Sequence, residues 1–130
     1  MNAVSEDIVA MLEVSSVGYQ LGVDLFVGRE PTTPDNTVTI FDTPGGGAST
    51  QIEPTEIYYR DSVQLRIRNN DYRMAMSNAY ELIDALHNKA HEIWNDTYYS
   101  LIRCSLGPHV LDFDENNRPR IVITFDIQRR

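Results

Sequence analysis

The sequence predicts an α+β fold: a mainly antiparallel (mixed) sheet with two amphipathic helices packed on one face. Three observations predict it. Apolar residues recur at helical spacing in two separate windows, one near the start and one from Tyr72 to Leu86. Alternating, β-branched runs follow each window. The resulting order, helix, two or three strands, helix, two or three strands, groups strands together instead of interleaving each with a helix. Such segregation favours antiparallel pairing with the helices on one side.

Taking the elements in order, Ser5 is a plausible N-cap, and Glu6 and Asp7 place carboxylates at the positive end of a helix dipole. Ile8, Met11, Leu12 and Ser15 then share a face, and Gly18 is a stop signal. Leu25-Phe26-Val27 is a short strand ended by Gly28, and Thr37-Val38-Thr39-Ile40-Phe41 is a second. Turn chemistry at Pro31-Thr32-Thr33-Pro34-Asp35-Asn36 separates them closely, so an antiparallel pair is expected.

The stretch 42–54 is the loosest of the chain. Gly45, Gly46 and Gly47 carry no side chain to hold it on a core, which predicts a flexible surface loop at about 43–55 within one domain spanning 1–130. Val63, Leu65 and Ile67 alternate with Gln64, Arg66 and Arg68, the clearest half-buried strand. Its polar side is expected to be an exposed row. Asn70 or Asp71 caps the main helix, whose stripe is Tyr72, Ala75, Met76, Ala79, Leu82, Ile83 and Leu86. After Trp94, strand signals place Tyr98, Ile102, Cys104 and Leu106 on one face, continue briefly at Val110-Leu111, and turn at Asp114-Glu115-Asn116-Asn117. A final strand sets Ile121, Ile123, Phe125 and Ile127 on one side.

The totals narrow the function classes. A chain of 130 residues suits one core, and no apolar run approaches the ~18 residues that span a bilayer. The start has neither a basic nor an apolar segment of the export kind. Cys104 stands alone, so no internal disulfide forms and a reducing cytoplasm is the simplest setting for assembly. The net charge is −8, and residues 1–60 hold nine acids against Arg29 and Arg60. That balance lacks the positive field that drives binding to phosphate backbones. Ten of the eleven bases are Arg, which suits planar pairing at protein contacts, although lineage composition would give the same skew.

Candidate chemistry is sparse. The run Gly45-Gly46-Gly47 lacks the lysine of a phosphate loop. His87 and His91, with Asp84 one turn earlier, would share a face on a continuous helix, but no Glu follows His87 as a metalloprotease helix requires. Cys104 reads as a core thiol and His109 as a turn residue. Asp112, Asp114 and Glu115 fit no calcium-loop spacing. No catalytic, cofactor or metal residue is assigned, and the expectation is a protein that is not an enzyme.

Three strings carry a resemblance: Leu25-Phe26-Val27-Gly28-Arg29-Glu30-Pro31, then Val38-Thr39-Ile40-Phe41-Asp42-Thr43, then Val63-Gln64-Leu65-Arg66-Ile67-Arg68, running into the helix opened by Asp71-Tyr72. In this order and spacing the chain resembles the tail terminator (tail completion, minor capsid) proteins of long-tailed bacteriophages. Arg60-Asp61 stands where that pattern has a proline.

The resemblance implies a virion protein of the head–tail junction, assembled in the host cytoplasm. It would form a homo-oligomeric ring, usually of six copies, on the head-proximal end of the tail tube, stop tube growth and meet the head connector. DNA would pass through the opening without specific binding, and Glu53 and Glu56 are expected to face that channel. Gln64, Arg66, Arg68, Tyr58, Tyr59 and the glycine loop (Gly45, Gly46, Gly47) are the expected contacts, or else plain solvent-exposed positions. Two alternatives stay open: a head-closure or neck protein, and a small soluble ligand-binding or enzymatic α+β domain.

Overall fold

The computed structural model describes residues 1–48 and 57–130. Helix α1 (Val4–Val14) precedes strands β1 (Leu25–Val27), β2 (Thr37–Ala48) and β3 (Tyr59–Arg68). Helix α2 (Tyr72–Leu86) precedes β4 (Glu92–Trp94), β5 (Thr97–Phe113) and β6 (Pro119–Arg129). The strands form one curled, mixed six-stranded sheet in the order β1-β2-β3-β6-β5-β4. The fold class is therefore α+β, as the segregated order of elements predicts.

Both helices pack on one face of the sheet. Val63, Leu65 and Ile67 of β3 and Ile121, Ile123, Phe125 and Ile127 of β6 are buried there, joined by Val38 and Ile40 of β2. Onto them α1 lays Ile8, Met11 and Leu12, and α2 lays Ala75, Ala79, Leu82 and Leu86. Small residues at 75 and 79 bring α2 close to the sheet, where Phe125 is fully buried, a contribution of about 2–3 kcal/mol. Asp71 caps α2 by accepting from the Arg73 N–H at 2.9 Å.

Several expectations are corrected. Ser5 lies inside α1, whose cap position is Ala3; the Ser5 N–H and hydroxyl donate instead to Asp42 on β2. Strands β1 and β2 pair in parallel, with Leu25 opposite Val38. The segment 28–36 does not reverse the chain; it crosses the sheet's second face and hands its carbonyls to arginines there. It does so with fewer residues than the dozen or so that parallel connections usually need.

The expected loop at 43–55 is in part a strand. Residues 43–48 continue β2 and pair with β3, with a register shift between Thr43 and Gly47; residues 49–56 lie outside the described residues. On β5 a bulge between Tyr99 and Leu101 turns Tyr99 and Ile102 inward, not Tyr98 and Leu106. Val110-Leu111 and His109 belong to that same long strand. The sequence pattern predicts no strand at β4; Asn95 and Asp96, both at positive φ, turn it into β5 as a two-residue hairpin. Helix α2 stops at Leu86, so His87 and His91 do not share a helical face. His87 Nδ1 accepts the Cys104 N–H at 2.9 Å, and His91 pairs with the Tyr98 hydroxyl at 2.6 Å.

Candidate assembly surface

The face of the sheet opposite the helices carries the alternate residues of β3 and β6. At one end of it lies a buried ionic frame. Glu30 Oε1 accepts from Arg120 Nε at 2.9 Å and from Arg68 Nη1 at 3.3 Å. Arg68 also donates to the carbonyls of Pro34 at 2.7 Å, Asp35 at 3.1 Å and Thr32 at 3.4 Å. Arg118 binds Asp114 at 2.6 Å, Asp35 at 2.8 Å and the Thr32 carbonyl at 2.8 Å. Three arginines thus hold the 28–36 segment down by both its carboxylates and its backbone oxygens, which extended loop backbone leaves free to accept.

The electrostatics follow from that geometry. Burial alone would raise the Asp114 pKa, but N–H donors from Arg118 and Asn116 and the Arg118 charge hold it below the usual carboxylate range. Asp35 is likewise held low, by hydrogen bonds from Asn70 and Arg118. Burial pulls the Arg68 pKa down against the attraction of Glu30 and Asp114. Burial also disfavours charge on Arg120, but Glu30 and Asp112 outweigh it and the pKa rises. Carboxylate and guanidinium neutralise each other pair by pair, so the frame holds shape without presenting a bare charge.

The expected exposed row is therefore shorter than the sequence suggests. Arg68 is 2% exposed and spent on intramolecular partners. Gln64 and Arg66 are half-buried, and Arg66 donates to Gln64 at 3.3 Å while its guanidinium lies 4.6 Å from the centre of the Phe41 ring. Arg66 Nε is buried without a hydrogen-bond partner among the described residues. Alternation along a strand predicts the face, but not that a loop will cover one end of it.

At the other end of this face, the glycines sit in the β2–β3 hairpin. A side chain at Gly45 would run into the Arg60 carbonyl, whereas Gly46 has room against the Arg60 side chain and Gly47 adopts φ +73°. Pro44, Gly46, Arg60, Leu101, Arg103 and Asp126 line an open groove of about 520 Å³ there. Arg103 and Asp126 pair across it at 3.2 Å. Tyr59 is exposed and Tyr58 half-buried beside the Arg130 guanidinium. Glu53 and Glu56 lie outside the described residues.

A second buried network lies outside what the sequence pattern predicts. Asp7, fully buried, accepts from the Tyr99 hydroxyl and from Asn95 at 2.6 Å, with Arg129 at 3.6 Å. Arg129 also binds Asp61 at 2.7 Å and the Asn2 carbonyl at 2.8 Å. Burial and the Asp7 carboxylate push the Tyr99 pKa well up. The signal was present: Asp7 is one helical turn before Met11, on the core face, not only in the first turn of a dipole.

A family profile described as "Bacteriophage tail terminator protein" matches residues 14–130. No curated protein matches significantly. Among solved structures, a chain from the virion of a native gene transfer agent particle superposes with a TM-score of 0.72 at 13% identity, covering 98% of this chain and 94% of that one. A second solved chain, without a functional name, gives 0.60 at 12% identity, with 98% and 91% covered. At these identities the structural likeness shows a shared fold.

Proposed function

The chain belongs to the bacteriophage tail terminator family and is a structural phage tail protein; on that premise we propose that it forms a ring, of six copies, on the head-proximal end of the tail tube and halts tube growth. A tube elongates because every ring presents complementary upper and lower surfaces, an open head-to-tail arrangement. A terminator matches the upper surface of the last ring and offers a different surface above, to the head connector. The protein acts by shape and is not an enzyme. It assembles in the host cytoplasm and stays in the virion.

The single observation carrying this reading is the family match over 14–130. The geometry supports it. The strings Leu25–Pro31 and Val63–Arg68, which carried the resemblance, meet in the frame where Glu30 binds Arg68. That contact fixes a long loop on one face of the sheet, as a rigid ring component requires. Gln64, Arg66, Tyr58, Tyr59 and the Gly45–Gly47 hairpin supply surface for tube or subunit contacts. DNA slides through the opening without specific binding, eased by acids from residues 1–60, among them Glu53 and Glu56.

Electron microscopy of particles made without this protein tests the reading. Abnormally long tail tubes that return to uniform length on complementation are expected. Normal tails on capsids that leak DNA would instead identify a head-closure joint and overturn it.

A further inference from the structure

Both edges of the sheet are open over part of their length. Strand β1 covers β2 only from Val38 to Ile40, and β4 covers β5 only from Thr97 to Tyr99. The backbone at Lys89 and Asn88 and the His87 ring extend the cover of β5 as far as Cys104. From Ser105 to Phe113 the outer edge of β5 has no strand partner among the described residues. Gly107-Pro108 and the register shifts beside it interrupt this edge for backbone pairing, so what it offers a neighbour is its side chains.

Exposed apolar side chains gather at these two edges. Leu106, Val110, Leu111 and Phe113 are exposed on β5, with Phe113 at 60%. Leu21, Val23 and Val27 are exposed on the β1 side. There, Leu21, Phe26, Val27 and Arg29 line an open depression of about 560 Å³, large enough to take an aromatic ring.

The two patches stand within a few residues of one height, Phe113 opposite Pro119 lying three positions, roughly 10 Å, beyond the row that joins Phe26 to Val122. Leu25 pairs with Val38, Val38 with Ile67, Ile67 with Ile121 and Ile121 with Val110, a single row across the sheet from one edge to the other. A rotation about an axis inclined to the strands therefore brings the β5 edge of one copy against the β1 side of the next and takes up that offset. Charge agrees with this pairing. Arg29 beside the depression and Glu115 just beyond Phe113 are both exposed, and neither has an ion-pair partner among the described residues. A symmetric contact of β5 with β5 would leave the β1 patch bare, whereas the head-to-tail contact covers both patches at once.

We propose that copies of this chain join side by side through this unlike pair of edges, with Phe113 of one copy seated in the depression beside Phe26 and Val27 of its neighbour and Glu115 facing Arg29. The proposal rests on the ring reading and names the surface that closes the ring.

The test places a photo-crosslinker at an exposed position, Phe113→benzoylphenylalanine. Isotope-labelled and unlabelled copies are mixed on purified tail tubes of the phage that encodes the chain. Crosslinks from position 113 to residues 21–32 of the other isotope population are expected. Crosslinks to β5 of another copy, or to tube protein alone, would overturn the contact. Reversing Glu115 (Glu115→Arg) should lower the crosslink yield about tenfold, and adding Arg29→Glu should restore it. Failure of that rescue counts against the pairing. If the chain still sits on tube ends and sets their length while these crosslinks are missing, the contact is wrong and the ring reading stands. If the chain never associates with tubes, both fall.

Discussion

Asp42 closes the first turn of α1 from a neighbouring strand: one carboxylate oxygen accepts the Ser5 N–H at 3.1 Å and the other accepts the Ser5 hydroxyl at 2.6 Å. The residue at the helix's own cap position, Ala3, has no side chain that could do this. Asp42→Ala should therefore destabilise the fold by about 1 kcal/mol, with Asp42→Asn milder. The denaturant midpoint, read at unchanged slope, checks it.

The stability effects of substitutions at Arg68 and Glu30 should be coupled, because losing either residue leaves the other's buried charge without its partner. Arg68→Ala leaves the Glu30 carboxylate short of a donor and opens the hold on the 28–36 carbonyls, a loss of about 3 kcal/mol. The double variant Glu30→Gln with Arg68→Met should lose less than the two single losses added together. A double-mutant cycle measures the coupling, and strict additivity would show that the pair does not hold the loop.

Acid should weaken this same frame. The Asp114 and Asp35 pKa values are depressed in the folded state, so these groups stabilise the fold above the unfolded carboxylate pKa of about 4. That stability is lost as pH falls through the lower, folded values. Between about pH 6 and about pH 3 the unfolding midpoint should fall, and Asp114→Asn should flatten the slope. A slope unchanged by Asp114→Asn would remove this carboxylate from the cause.

The two neighbouring glycines should differ sharply. Gly45→Ala puts a methyl into the Arg60 carbonyl and should cost about 1–3 kcal/mol, with faster hydrogen exchange in the β2–β3 hairpin. Gly46→Ala meets only the Arg60 side chain at ordinary contact distance and should be near neutral.

If Glu53 and Glu56 face the channel of the proposed ring, Glu53→Lys with Glu56→Lys should slow DNA delivery, because added positive charge attracts phosphate. Infection kinetics at matched particle numbers give the readout. Unchanged delivery removes these two residues from the channel.

Much of the fold was legible because local periodicity is a one-dimensional signal. Val63, Leu65 and Ile67 alternate, Ile121 to Ile127 alternate, and Ala75 to Leu86 recur at helical spacing; each pattern fixes which side of its element meets the core. Asp71 was readable as a cap for the same local reason. The order and spacing of three short strings indicate the family without reference to any contact, and a profile over residues 14–130 agrees.

What the tertiary structure alone decided depends on residues far apart in the chain. The direction of β1 against β2, the burial of Arg68 and the roles of Asp7 and Asp42 each depend on partners at least 13 positions away, as Leu25 meets Val38 and Asp7 meets Tyr99. A charged side chain has the same local signature whether water or a buried counter-charge receives it, and only the fold chooses between them. The bulge at Tyr99 and Leu101 has the same origin: it moves residues between faces without altering composition or propensity. The sequence by itself determined the elements and their buried sides, and packing decided which polar groups became struts and which were left on the surface.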